Sequence, residues 1–255
     1  MSTLTELINY GQSYWLDNLS RDKIKNGELK KRVTQKGLRG VTSNPSIFNK
    51  AITSSKEYDA QIKQLIAKGK GVHEIYEALT IKDVQDACDI LRPVFDASDG
   101  VDGFVSIEVS PYLANDAEGT KAEARRLFKE VNRPNCYIKI PGTDACVPAI
   151  EEVLYEGINV NVTLLFSIKS YEAVANAYVN ALERRAAENK SIKELRSVAS
   201  FFLSRMDVLA DQLLGQLIIP SGTEVPEGAV RPEQLFGKAA VANAKIAYQS
   251  YKKNF

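Results

Sequence analysis

The segment Cys136-Tyr-Ile-Lys-Ile-Pro-Gly142 puts one cation, Lys139, between two isoleucines in a run of strand-forming composition. Strand side chains alternate faces, so Ile138 and Ile140 share one face and Lys139 takes the other. The pattern recurs. In 104–109, Val105, Ile107 and Val109 oppose Ser106 and Glu108; in 159–165, Val160, Val162 and Leu164 oppose Asn159, Asn161 and Thr163. Thr42 and Asn44 share a parity at the end of 38–44, Ser200 sits among apolar neighbours, and Asp17 ends the run Tyr14-Trp-Leu. A lone lysine on a strand is ordinarily a solvated edge residue. Polar residues at one parity and one end of several strands would each lose solvation in a plain core, so they point to a shared functional surface.

Lysine is a poor nucleophile while protonated, with an ordinary pKa of about 10.4. Desolvation disfavours the cation and opens Schiff-base formation with a carbonyl near neutral pH. The protonated imine is then an electron sink for the carbanion left by carbon–carbon cleavage. That chemistry needs a base for a hydroxyl proton and an acid for the carbinolamine water, roles for which Asp17 and Glu108 are the candidates. Asn44, Asn161 and Thr163 suit the orientation of substrate hydroxyls. No metal or organic cofactor is called for.

Short β-branched runs alternate with longer amphipathic segments, which predicts βαβ units and a parallel sheet. Strands are expected at 13–16, 38–43, 104–109, 136–140, 159–165 and 197–203; helices at 57–68, 72–97, 121–131, 145–154, 168–186 and 234–252. Asn44-Pro45 reads as a cap followed by the first helical position, and Gly142-Thr143-Asp144 as another helix start. A strand covered by helices needs an apolar outer face, so the polar residues face inward near the carboxyl ends, where (β/α) barrels keep their active sites. The absence of GxGxxG and GxxxxGK[ST] argues against a doubly wound sheet. The expected architecture is an α/β, TIM (β/α)8-type barrel, one domain over 1–255, with 217–232 as a surface excursion.

Thirty-three basic and 32 acidic residues give a net charge of +1, which favours neither nucleic acid nor an anionic membrane as partner. No apolar stretch reaches the ~20 residues of a membrane span, and no secretory signal is evident, so a cytoplasmic location is expected. Cys88, Cys136 and Cys146 read as buried thiols; His73 alone cannot build a zinc site.

Gly40-Val-Thr-Ser-Asn-Pro-Ser-Ile-Phe48 resembles the amino-terminal signature of the transaldolase family, and Ile138-Lys-Ile-Pro-Gly-Thr143 resembles the segment around its Schiff-base lysine. Ser106–Ser110, Asn159–Ser167 and Ser200–Arg205 are also similar, in the family's order, and the likeness is greatest to plant and cyanobacterial members. The resemblance implies that Lys139 forms the imine and Asp17 is the base for aldol cleavage. It gives Glu108 the acid/base role, with a water near Thr163. Asn44 and Asn161 would hold the dihydroxyacetone unit, Ser200 would line the substrate and Arg205 would grip its phosphate. It implies transfer of dihydroxyacetone from sedoheptulose 7-phosphate to glyceraldehyde 3-phosphate in the pentose phosphate pathway. Small sugar phosphates are the expected partners; a homodimer stays open.

Only six strand candidates occur where the family has eight. The favoured reading is a fragment of a longer protein. A short form completed by another chain, or a missed strand around 216–219, are the alternatives. Rival functions are a Schiff-base aldolase that releases its product to water, and a catalytically silent scaffold or regulatory form.

Overall fold

Parallel strands cannot be joined by a tight turn, and the helical segments between the strand runs supply the crossovers. In the computed structural model, which describes residues 3–218, 226 and 228–255, six strands form. They are β1 (Tyr14–Asp17), β2 (Leu38–Thr42), β3 (Phe104–Glu108), β4 (Cys136–Pro141), β5 (Val160–Leu165) and β6 (Ser197–Phe201). All are parallel, bonded in sequence order, and curled into part of a TIM-type barrel. A short helix, α1 (Thr3–Glu6), precedes them; α2 (Arg21–Lys25) and α3 (Glu28–Lys36) lead into β2. Helices α4 (Pro45–Ser54), α5 (Asp59–Ala67) and α6 (Val72–Ala97) carry the chain to β3. The remaining crossovers are α7 (Ala117–Val131), α8 (Val147–Tyr155) and α9 (Ile168–Ala187), and α10 (Ser204–Gly215) and α11 (Ala239–Asn254) follow β6.

The strand expectations hold to within two residues, and α6 has the expected bounds although Pro93 lies inside it. Three helix expectations change. The segment 57–68 divides into a 3-10 turn at Lys56–Tyr58, capped by Ser55, and α5. Gly142-Thr143-Asp144 opens a turn rather than the helix itself: the amides of Cys146 and Val147 both bond the Thr143 carbonyl before α8 starts. The last segment is interrupted at Gly237, whose φ of 67° separates a 3-10 turn at Pro232–Leu235 from α11. Gln216 and Leu217 bond back onto Leu213 and Leu214, so they end α10 and form no strand; the rest of that alternative and residues 219–225 and 227 lie outside the described residues.

The core lies between the sheet's outer face and the helices, where Val41, Val105, Ile138, Ile140 and Val160 meet Leu91, Leu127, Ile150 and Leu154 with none more than 3% exposed. All three cysteines are buried free thiols, as expected. A second anchor joins α2 to α6: Arg21 Nε bonds Asp83 at 2.7 Å, and Tyr58 donates to the same carboxylate at 2.8 Å. The inner face is layered. Its carboxyl-terminal half is polar, but the amino-terminal half is an aromatic floor, contrary to a uniformly polar interior. Tyr137 stacks on Phe104 at 4.1 Å between centroids and meets Trp15 at 6.1 Å. Gly40, paired with Trp15 across β1 and β2, makes that floor fit, because a Cβ there would lie 2.2 Å from the indole.

Gly40→Ala is therefore expected to displace Trp15 and destabilise the fold by about 1–3 kcal/mol. A urea midpoint equal to that of the unaltered protein would contradict this packing.

Candidate active site at the carboxyl ends of the strands

Strand register aligns the site. Glu108 of β3 pairs with Lys139 of β4, which pairs with Asn161 of β5, so three polar residues form one rung across the inner face. Lys139 is 6% exposed. Its Nζ lies 3.1 Å from Glu108 Oε2 and donates to the Ser43 carbonyl at 3.1 Å. A cation so enclosed is tolerable because a carboxylate and a carbonyl replace its water. Burial raises the Glu108 pKa above the usual carboxylate value. The Lys139 charge opposes that rise, the Asp17 charge adds to it, and Arg205 weakly opposes it.

Beside the ion pair, Asn161 Nδ2 donates to Ser106 Oγ at 3.0 Å and Ser200 Oγ donates to Asn161 Oδ1 at 2.8 Å. Ser43 Oγ bonds the Ser106 carbonyl at 2.8 Å, tying β2's end to β3. Above the pair opens a cleft of about 520 Å³ whose walls include Asp17, Asn44, Lys50, Thr163 and Arg205. Asn44 caps α4, its Oδ1 accepting from the Ile47 amide at 3.0 Å, which leaves its amide nitrogen for a ligand. The buried hydroxyls of Thr42 and Thr163 have no protein partner. Arg205 packs its guanidinium 5.1 Å from the Phe202 ring and is the one arginine among the described residues with no hydrogen bond or ion pair.

The structure thus brings Asp17, Asn44, Glu108, Lys139, Thr163 and Arg205 around one cleft, and sets Asn161 beside Lys139 on the same rung, bonded to Ser200 of β6. Asn159 departs from the expected polar face: its Oδ1 accepts from the Arg196 amide at 2.7 Å, so it serves strand pairing. Leu164 also departs. A register break in β5 and a φ of 61° turn it out of the apolar face to line the cleft, 40% exposed, while Leu165 takes the buried position. Sequence reasoning missed the Ser43 carbonyl, Lys50 and Phe202. Lys50 lies six residues after the Asn44 cap, a spacing that helical periodicity could have placed near the cleft; a backbone carbonyl leaves no sequence signal. Chemically, a buried amine beside a carboxyl of raised pKa, near hydroxyl-binding amides and an unpaired guanidinium, can attack a carbonyl and manage the protons of the adduct.

The raised Glu108 pKa means that the folded state holds this proton more tightly than the unfolded chain does. Its contribution to stability is full below the ordinary carboxylate value of about 4.3 and declines as pH rises through the raised one. Relative to Glu108→Gln, the unaltered protein should lose stability across that window; a urea-unfolding difference constant from pH 4 to 8 would contradict this.

A family model described as Transaldolase/Fructose-6-phosphate aldolase matches residues 14–254. A protein named Transaldolase 2 from Nostoc sp. is 51% identical over 252 residues, covering 98% of this chain and 65% of its own length. The Transaldolase 2 of Nostoc punctiforme is 51% identical over 255 residues, 99% of this chain and 67% of its own, and the Transaldolase of Trichodesmium erythraeum 51% over 250 residues, 98% and 65%. The chain thus spans about two thirds of the length of these curated relatives. Sequence match and strand-end geometry agree: the chain belongs to the transaldolase/fructose-6-phosphate aldolase family.

Proposed function

We propose that the protein carrying this chain is a transaldolase, moving a dihydroxyacetone unit from sedoheptulose 7-phosphate to glyceraldehyde 3-phosphate through an imine on Lys139. The observation that carries the reading is the buried Lys139–Glu108 pair at the base of a cleft that also presents Asp17, Asn44, Thr163 and Arg205. The names of the relatives and the family match support it.

Lys139 gives up a proton, and its lone pair attacks the ketose C2. A proton then passes from that nitrogen to the former carbonyl oxygen, giving a neutral carbinolamine whose nitrogen again carries a lone pair. Glu108 in its acid form then protonates the departing hydroxyl, the C–O bond breaks to release water, and the nitrogen lone pair forms the C=N bond. The raised Glu108 pKa favours a carboxyl that can donate in this step. Asp17 takes the proton of the C4 hydroxyl, the C3–C4 bond breaks, and its electron pair flows into the iminium. The resulting enamine attacks the aldehyde of the acceptor, and the steps reverse. The Asn44 amide and Asn161 hold the dihydroxyacetone hydroxyls, and the Thr163 hydroxyl holds the water that leaves and returns. Ser200 holds the Asn161 carbonyl oxygen and so fixes its amide. Arg205 grips the phosphate with a guanidinium not committed elsewhere.

The family description also names fructose-6-phosphate aldolase, which favours one second reading, a Schiff-base aldolase releasing dihydroxyacetone to water. Dependence on glyceraldehyde 3-phosphate separates the two. Transaldolase activity requires that product form only with the acceptor present; free dihydroxyacetone from fructose 6-phosphate without acceptor would favour the aldolase. Arg205→Ala should raise KM for phosphorylated sugars about 10- to 100-fold, the loss of a charge-assisted hydrogen bond. An unchanged KM would remove Arg205 from the phosphate site.

A further inference from the structure

A second cavity lies on the far side of Glu108. It occupies about 350 Å³ between β3, α6 and α7, and Glu108 and Asn44 belong to its wall and to the wall of the catalytic cleft. The catalytic carboxyl is therefore a partition between two spaces. Its Oε2 is buried and makes no hydrogen bond, although Lys139 lies within ion-pair distance. In the wall of the second cavity stands Tyr76 of α6, whose ring packs on the core and whose phenol has no hydrogen-bond partner among the described residues. Burial, then the Glu108 charge, pushes the Tyr76 pKa up to about 12, so the phenol stays a donor at neutral pH and lies within electrostatic reach of the carboxylate.

The reaction needs Glu108 to give a proton and recover one in each turnover, and a sugar bound at Lys139 fills the space through which bulk water would reach it. The second cavity carries the polar groups of Glu108, Tyr76 and Thr80 in a mostly apolar wall and holds room for several waters, each with a share of about 30 Å³. We propose that this cavity supplies the water that exchanges protons with Glu108 while sugar occupies the cleft, and that Tyr76 is the positioning residue holding that water against the carboxylate. The inference rests on the imine reading of the cleft. In the step concerned, the Glu108 proton leaves on the released hydroxyl as water. The carboxylate then takes a proton from the cavity water, which regains one from bulk solvent.

The other groups facing Glu108 are accounted for. Lys139, Asp17 and Arg205 act from the cleft. On the cavity side, Glu77 is paired with Arg126, Glu123 accepts from the Ser110 amide at 3.0 Å, and His73 is exposed at the rim. Asn49 and Tyr112 also line the cavity but are exposed, and the Asn44 amide serves the cleft, so among the described residues Tyr76 is the half-buried donor of α6 on that side without a partner.

The test is a carbon-13 titration of the Glu108 carboxyl in glutamate-labelled protein, assigned with Glu108→Gln. Removing a donor that favours the ionised carboxylate should raise the Glu108 midpoint in Tyr76→Phe by about half a unit or more. His73→Gln should leave it in place. The pH profile for borohydride trapping of a fructose 6-phosphate adduct should move with the midpoint, while the melting temperature measured below the ordinary carboxylate value of about 4.3, where Glu108 holds its proton and linkage does not act, stays put. A midpoint in Tyr76→Phe equal to that of the unaltered protein overturns the inference, even with adduct formed normally. No adduct on the unaltered protein, with the midpoint still displaced, overturns the imine reading and leaves the Tyr76 contact standing.

Discussion

The arrangement depends on one constraint: Lys139 is buried on the inner face of the sheet, so its charge must be met by protein groups instead of water. Glu108 and the Ser43 carbonyl meet it, each at 3.1 Å. Those partners come from β3 and the end of β2, which makes register on this side of the sheet a condition of the site. A slip of one residue in β4 would send Lys139 into the apolar layer under the helices and bring an isoleucine into the cleft. The pair is costly to form and costly to break, since removing either partner leaves the other as an isolated buried charge. Its retention is better explained by chemistry than by stability.

Around that pair the inner face is graded. Aromatic rings of β1, β3 and β4 form the floor, and above it the hydrogen-bonded chain of Ser106, Asn161 and Ser200 lies beside the ionisable groups of the cleft. The Ser106 and Ser200 hydroxyls fix the Asn161 amide beside Lys139. Among the described residues, β1 and β6 each pair on one side only. The curated relatives are about half as long again as this chain.

Much of this was legible in the sequence because pleating has an invariant period. Lys139, Glu108, Asn161 and Thr163 could be placed on one face by counting, and Asn44 by its position before Pro45. Counting failed where the backbone left the regular strand. Leu164 adopts a left-handed conformation and changes faces, a cost that residue types alone do not reveal. The Ser43 carbonyl is invisible because every residue has one. Trp15, Phe104 and Tyr137 share the parity of the polar residues, yet their joint packing depends on Gly40, whose role emerges only when β1 and β2 are laid side by side. Tyr76 was hidden for a related reason: on a 26-residue helix its periodicity reads as core packing, and only the cavity that it lines together with Glu108 brings the two into one space.

The central claim is that the enclosed amine of Lys139 is the nucleophile. Borohydride reduction in the presence of fructose 6-phosphate, followed by peptide mass mapping, tests it most directly. The account predicts one adduct with the mass of a reduced dihydroxyacetone unit, located on the peptide containing Lys139 and absent from Lys139→Met. No adduct on folded protein, or an adduct on another lysine that persists in Lys139→Met, would contradict it.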